Sequence, residues 1–231
     1  MKTSWILPFV VCAWLWAAPA AGQSVRVLKL SDGVPFQMGK VTSVRIVHPD
    51  MGAKRLTLNY STSEPGHEFS QHAHDYSDDT IVVLEGQGDL RQGDSRRPLK
   101  AGQSAFVPAG QVHGTVTTEK AIMISFQTPP DMVLYTGARD SAKPGAAPPK
   151  GEITPGAVRF LDYAGRSGFF VHPGMGAERV AAAHRKLGPG EGFQTGIGEG
   201  GEQVLFVWKG AIWVSSAGKR YEAGERDTVF V

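Results

Sequence analysis

The chain has 231 residues, 41% hydrophobic and 20% charged, a composition that folds and that excludes a disordered protein. Its formal net charge is +2 with acids and bases interspersed, which excludes a basic footprint for nucleic acid or for a charged membrane surface. Twenty-nine glycines and fifteen prolines disfavour long helices and suit many short strands joined by tight turns.

The first segment, MKTSWILPFVVCAWLWAAPAAGQS, has a charged start at Lys2, an apolar run from Trp5 to about Ala18, and small residues at Ala18-Pro19-Ala20. That is the pattern of a secretory signal peptide over residues 1–22, cleaved after Ala20 or Gly22. The run is short for a membrane span and contains Pro8, so no stable anchor is expected after cleavage. The mature protein is therefore expected to be exported, periplasmic or secreted. Cys12 is the only cysteine, so a metal in the mature chain must be held by histidine or carboxylate.

The next signal is an internal repeat. Val47–Leu56 reads VHPDMGAKRL and Val171–Val180 reads VHPGMGAERV, identical at seven of ten positions at an offset of 124. The same offset aligns Pro65-Gly66 with Pro189-Gly190, Gly86 with Gly210, and Phe106-Val107 with Phe230-Val231. A constant offset over about sixty residues marks a tandem duplication. Within each copy the apolar runs have strand length, as in RLTLNYS, DTIVVLEG and QSAFVPAG. These observations predict an all-β protein of two antiparallel barrels or sandwiches. The first domain is expected over residues 24–138. A Pro/Gly/Ala-rich linker follows over 139–152, and the second domain covers 153–231. Copy two has no counterpart of Pro108 through Phe126, so the second barrel is expected to be truncated and the sequence a fragment.

Copy one carries the chemistry. The stretch GHEFSQHAHD, Gly66 to Asp75, holds three of the chain's seven histidines. His72 and His74 are separated by one residue, which on an extended strand puts both imidazoles on one face, about 7 Å apart along the chain. Asp79 follows close enough to return on the next strand, and His113 lies in the turn PAGQVHG. Three histidines and a carboxylate suit one divalent transition metal, with Fe, Mn, Ni, Co and Zn all compatible, and leave positions open for water, dioxygen or substrate.

Gly66 to Gly86 resembles the first cupin motif, G-x5-H-x-H-x(3,4)-E-x6-G, and Gly102 to Thr117 resembles the second, G-x5-P-x-G-x2-H-x3-N. Every motif position matches in spacing. Asp79 replaces the usual Glu and Thr117 the usual Asn. The resemblance implies two tandem jelly-roll barrels, with His72, His74 and His113 as ligands of a metal in the mouth of the first. Asp is one methylene shorter than Glu, so Asp79 either ligates the metal or orients a histidine beside it. His67 has no motif role and is expected at the rim, and Glu85 is expected to face solvent.

In copy two the motif positions read Gly196, Gly198 and Gln203, which predicts a metal-free barrel that packs or binds an organic ligand. Trp208, Trp213 and Phe206 are its aromatic candidates, with core packing the preferred role. His48 and His172 are matched across the repeat and are expected to be structural, whereas His184 aligns with Tyr60 and is a candidate for lining a pocket. The resemblance allows a metal-dependent enzyme, such as a dioxygenase or decarboxylase, acting on a small oxygen-rich or aromatic substrate. It also allows a non-catalytic binding or sensing module for a small molecule or metal. A purely structural double barrel is disfavoured, because it has no need for three histidines in register. Edge-to-edge association into a homo-oligomer is compatible with the family.

Overall fold

The computed structural model describes residues 24–165, 167–197 and 200–231, and the backbone alone of 7–13. The cleavage residues of the leader and Gly198 lie outside the described residues. Among the described residues seventeen strands follow in chain order. They are β1 (Leu7–Ala13), β2 (Arg26–Leu28), β3 (Val34–Met38), β4 (Val41–Val47), β5 (Thr57–Ser63), β6 (Glu68–His72), β7 (Asp78–Gln92), β8 (Ser95–Lys100) and β9 (Gln103–Val107). After them come β10 (His113–Thr128), β11 (Arg159–Asp162), β12 (Gly168–Val171), β13 (Ala181–His184), β14 (Glu202–Lys209), β15 (Ile212–Ser216), β16 (Lys219–Ala223) and β17 (Thr228–Phe230). The all-β, antiparallel jelly-roll architecture expected from the sequence is the one observed.

Two compact units divide the chain, one formed by Val34–Asp162 and the other by Tyr163–Val231 with the segment up to Gly33. In the first unit the strand order is β11-β9-β7-β10-β5-β4-β3, with β6 also on β10 and β8 also on β7. Strand β7 opens with a β-branched run and is buried on both faces from Asp78 to Leu84, as a central strand requires. Gly86 then turns it at φ +73°, where a β-carbon would collide with the Lys120 carbonyl of β10. That collision is the physical reason for the glycine closing the first motif. The inward face of this barrel is apolar at one end, where Ile81, Val83, Leu90, Leu99, Ala105 and Met123 form a buried cluster. Each fully buried aliphatic side chain there contributes about 1.5–3 kcal/mol. At the other end the inward positions turn polar.

The second unit orders its strands β12-β13-β1-β14-β17-β2, with β15 and β16 as a separate hairpin. The repeat holds at the level of elements. Strands β5 and β13 start 124 residues apart, as do β7 and β14. Pro49–Met51 and Pro173–Met175 form the same 3-10 turn, closed by Gly52 at φ +98° and Gly176 at φ +92°. His48 and His172 lead into these turns with nearly identical backbone angles. Strand β1 lies between β13 and β14, the place that β10 takes between β5 and β7 in the first unit.

The strand that precedes each sequence copy packs with the other copy. Strand β11, from just before copy two, pairs with β9 of the first unit, and Val158 and Phe160 join the first unit's core. Strand β2, from just before copy one, pairs with β17, and Val25 and Val27 join the second unit's core. Residues 24–33 thus pack with copy two, and the segment read as a linker packs with copy one.

Candidate metal centre

Four buried side chains converge at the polar end of the first barrel. His72 ends β6 and faces His113, the first residue of β10, across the ladder. His74 sits in the turn beyond β6, held by a hydrogen bond from the Gly110 N–H to its carbonyl at 2.7 Å. Asp79 lies on β7 between Val107 of β9 and Gln127 of β10. None of the four is more than 4% exposed. One ligand atom from each falls within 4.8 Å of the others.

Hydrogen bonds on the outer side of each ring set its orientation. The Nδ1–H of His72 donates to the Ser70 carbonyl at 2.9 Å, and that of His113 to the Gln111 carbonyl at 3.0 Å. The Nδ1–H of His74 donates to Asp131 Oδ2 at 2.7 Å. With every Nδ1 proton so assigned, the Nε2 lone pairs all turn inward. His72 Nε2 is 3.2 Å from His74 Nε2, and His113 Nε2 is 3.3 Å from Asp79 Oδ2. Two lone pairs at that distance, or a lone pair facing a carboxylate, repel unless a proton or a cation lies between them. Asp79 Oδ1 is buried and lacks a hydrogen-bond partner. The donor set, its burial and this orphaned acceptor fit a divalent metal held by imidazole and carboxylate.

The titration behaviour agrees. Burial, then the neighbouring His113 and His74, hold His72 well below the ordinary imidazole range, so its ring is neutral with a free lone pair. Burial alone would lower His74 as well, but the hydrogen bonds to Asp131 and Asp79 outweigh it and raise the ring. Burial would raise Asp79, yet His113 and His74 overcome it and hold the carboxyl below the usual range. The site therefore packs together a neutral histidine, a histidine whose protonated form two carboxylates favour, and an ionised carboxylate. The shorter reach of Asp does not keep Asp79 away from the centre, because its Oδ2 is also 3.8 Å from His74 Nε2.

A cavity of about 40 Å³ adjoins the cluster. His72, Asp79 and His113 reach it, with Ser61, Ser125 and Gln127 on a polar side and Phe69, Ile81 and Met123 on an apolar side. His74 does not line it. Behind Gln127, the Tyr135 hydroxyl donates to Asn59 Oδ1 at 2.9 Å and lies 3.2 Å from Gln127 Oε1. The Arg45 guanidinium lies 4.4 Å over the Tyr135 ring. Burial pushes the Tyr135 phenol up to about 12, so it serves as a neutral donor that orients the amides.

Residues near the motif in sequence are not all near it in space. Glu68 pairs with Arg91 at 2.7 Å, Asp75 with Arg139 at 3.1 Å, and Tyr76 is 80% exposed. His67 is half-buried and Glu85 exposed, both outside the cluster. His48 is buried against Asp50 in its turn. Asp131, Arg139 and Tyr135 carry no motif spacing and could not be picked out from the sequence.

In the second unit, Gly196 is exposed, and Gln203 at the position of Asp79 is buried and bonded to Thr195. His184 packs edge-on against Tyr163, with ring centres 5.4 Å apart. Phe206 and Trp208 are core residues. Trp213 is exposed beneath the Arg220 guanidinium and borders a groove with Phe193 and Leu187. Among the described residues no helix is long and apolar enough to cross a membrane.

Comparison with known proteins finds the following similarities. A cupin domain model matches residues 59–126, which span β5 through most of β10. The tetracenomycin polyketide synthase protein TcmJ of Streptomyces glaucescens is 26% identical over 132 residues, 55% of this chain and 89% of TcmJ. Among solved structures, a single-substitution variant of oxalate decarboxylase from B. subtilis superposes on 92% of this chain and 72% of its own, with a TM-score of 0.56 at 9% identity. That likeness extends over both units and concerns the fold. The polyketide cyclase RemF of Streptomyces resistomycificus matches 43% of this chain and 75% of its own, with a TM-score of 0.38 at 24% identity.

Proposed function

We propose that the chain, whose residues 59–126 match a cupin domain model, is an exported metal-dependent enzyme whose chemistry resides in the first unit. His72, His74 and His113, through Nε2, and the Asp79 carboxylate would hold one divalent transition metal. The observation that carries this reading is the convergence of three inward Nε2 atoms and an ionised carboxylate in a buried site whose outer hydrogen bonds are already formed.

Bound there, a metal would supply Lewis acidity or a binding position for dioxygen. The protein's own contribution is orientation and exclusion of water. Ser61, Ser125 and Gln127 offer hydrogen bonds to substrate oxygens, while Phe69, Ile81 and Met123 cover an apolar part. This mixed lining favours a small oxygen-rich substrate with an apolar or aromatic portion. Similarity to TcmJ, a polyketide synthase protein by name, supports a polyketide-like molecule within that class, of which only a small part would enter the cavity of about 40 Å³ itself. The sequence pattern of residues 1–22 supports export, although Leu7–Ala13 of that segment pairs with β13 and β14, so its cleavage would remove a strand of the second unit; that unit is read as structural and without a metal. A second reading is a binding module that holds such a molecule without turning it over.

The test is turnover by mature protein reconstituted separately with Fe(II), Mn(II), Ni(II), Co(II) and Zn(II). Dioxygen consumption and product formation are followed over phenolic polyketides, flavonols, diketones and small carboxylic acids. Metal-dependent turnover that disappears in His72→Ala supports the enzyme. Ligand-induced thermal stabilisation with no turnover of any stabilising compound favours the binding module instead.

A further inference from the structure

The three histidines are not held alike. His72 and His113 each give their Nδ1 proton to a backbone carbonyl two residues earlier, Ser70 and Gln111. His74 gives its proton to a side-chain carboxylate from a distant part of the chain, Asp131, at 2.7 Å. Asp131 is itself fixed. Its Oδ1 accepts the Val133 N–H at 3.0 Å, and its Oδ2 is 2.7 Å from Arg139 Nε. Arg139 in turn reaches Asp75, the residue after His74, at 3.1 Å. The chain past Asp131 also grips β6, just before the turn that carries His74, with Ser70 Oγ donating to Asp140 at 2.5 Å and Ser141 Oγ donating to the Gln71 carbonyl at 2.7 Å.

We propose that Asp131 and Arg139 are positioning residues of the metal centre, acting through His74 to set its affinity for the metal. This rests on the metal-binding reading above. A carboxylate partner fixes the tautomer and ring plane of a ligating imidazole and makes its other nitrogen a stronger donor than a carbonyl partner does. His74 is therefore the ligand most strongly prepared for the metal. It is also the histidine that does not line the cavity, so this arrangement tightens the centre from behind without touching a substrate. Arg139 stands beside Asp131 as an ion-pair partner, its Nε close to Oδ2 without the alignment of a hydrogen bond, and favours the ionised carboxylate that faces the ring. Asp75, more than half exposed, completes the chain of charges from the surface to the ligand.

The experiment is a cobalt(II) titration of metal-stripped protein, read by calorimetry and by the visible absorption of the bound ion. It compares wild type with Asp131→Ala, Asp131→Asn and Arg139→Gln, and apo melting temperature and near-ultraviolet circular dichroism report folding. The inference predicts a Kd for cobalt weaker by roughly 10–100-fold in Asp131→Ala, a smaller loss in the other two, and shifted cobalt bands in all three, with apo folding retained. Asp131→Asn keeps the side-chain shape and Arg139 is partly exposed, so these two variants decide the matter if Asp131→Ala fails to fold. Wild-type affinity and wild-type bands in folded variants would overturn this inference alone. Losses of affinity that merely follow unfolding of the apo variants would overturn it as well. A wild-type protein that takes up no cobalt would overturn the metal reading and this inference with it.

Discussion

His72 Nε2 and His74 Nε2 lie 3.2 Å apart, both buried, with the opposite nitrogen of each ring already donated elsewhere. Such a pair of nitrogens is stable only around a shared cation or proton. Metal should therefore stabilise the folded first unit strongly. At a free metal concentration 100-fold above Kd the gain is about 2.7 kcal/mol. Wild-type protein should melt at a higher temperature with Mn(II), Co(II) or Ni(II) than with chelator, and His72→Ala/His74→Ala should melt at one temperature in both. A metal-independent wild-type melting curve contradicts this.

Asp79 tests the reach of the fourth group. Its Oδ1 is buried without a partner and its Oδ2 faces two imidazoles. As a direct ligand, Asp79→Asn should weaken metal affinity by at least roughly tenfold, on the order of the loss from removing a ligating or supporting group. Asp79→Glu, which restores the usual motif residue, should recover most of it. Calorimetric titration of both variants checks the order, and an Asp79→Asn protein that binds like wild type would place Asp79 outside the coordination sphere.

Metal uptake should release protons. His74 is raised because its bonds to Asp131 and Asp79 outweigh burial. A raised imidazole stabilises the folded apo protein by an amount fully present below the ordinary value of 6.5 and lost as pH rises through the folded value. The metal must displace that proton, so affinity should fall as pH drops through the His74 titration, by about tenfold per pH unit for each proton displaced. His72, held low, stays neutral over this range and adds no competing proton. Titrations at several pH values, in buffers of different ionisation enthalpy, measure both the slope and the proton count. A pH-independent Kd between about 5.5 and 8 would contradict the assignment.

Packing beneath the site should be felt as well. Phe106 is 1% exposed on β9, between β7 with Asp79 and strand β11. Phe106→Ala should cost about 3–5 kcal/mol of stability in chemical denaturation. A loss below about 1 kcal/mol would show that this junction is not a packed core.

Much of the site was legible because its signals are local or periodic. A one-residue spacing joined His72 to His74, and the second motif supplied His113. The glycine at Gly86 marked the bend at which β7 meets the Lys120 carbonyl of β10. The repeat revealed the two units because the same turn recurs at Pro49 and Pro173. What the sequence does not announce depends on distance along the chain. Asp131 meets His74 across 57 residues, with no spacing rule to mark it. Short strands β2 and β11 carry too few residues for a periodic pattern, so their packing with the other copy is invisible in sequence. The Pro/Gly/Ala-rich segment lacks periodicity because it docks through single contacts. Asp140 binds Ser70 and Gly39, Gln111 binds Thr154, and Gly151 lies against Ala73 and Gly110. Absence of periodicity is therefore not absence of packing.

The central claim is that His72, His74, His113 and Asp79 hold one metal ion. Elemental analysis of purified wild-type protein, beside His72→Ala/His74→Ala prepared identically, tests it most directly. The account predicts close to one transition-metal ion per chain in wild type and none above background in the variant. Equal metal in the two proteins, or none in wild type even after incubation with Fe(II), Mn(II), Co(II), Ni(II) and Zn(II), would contradict it.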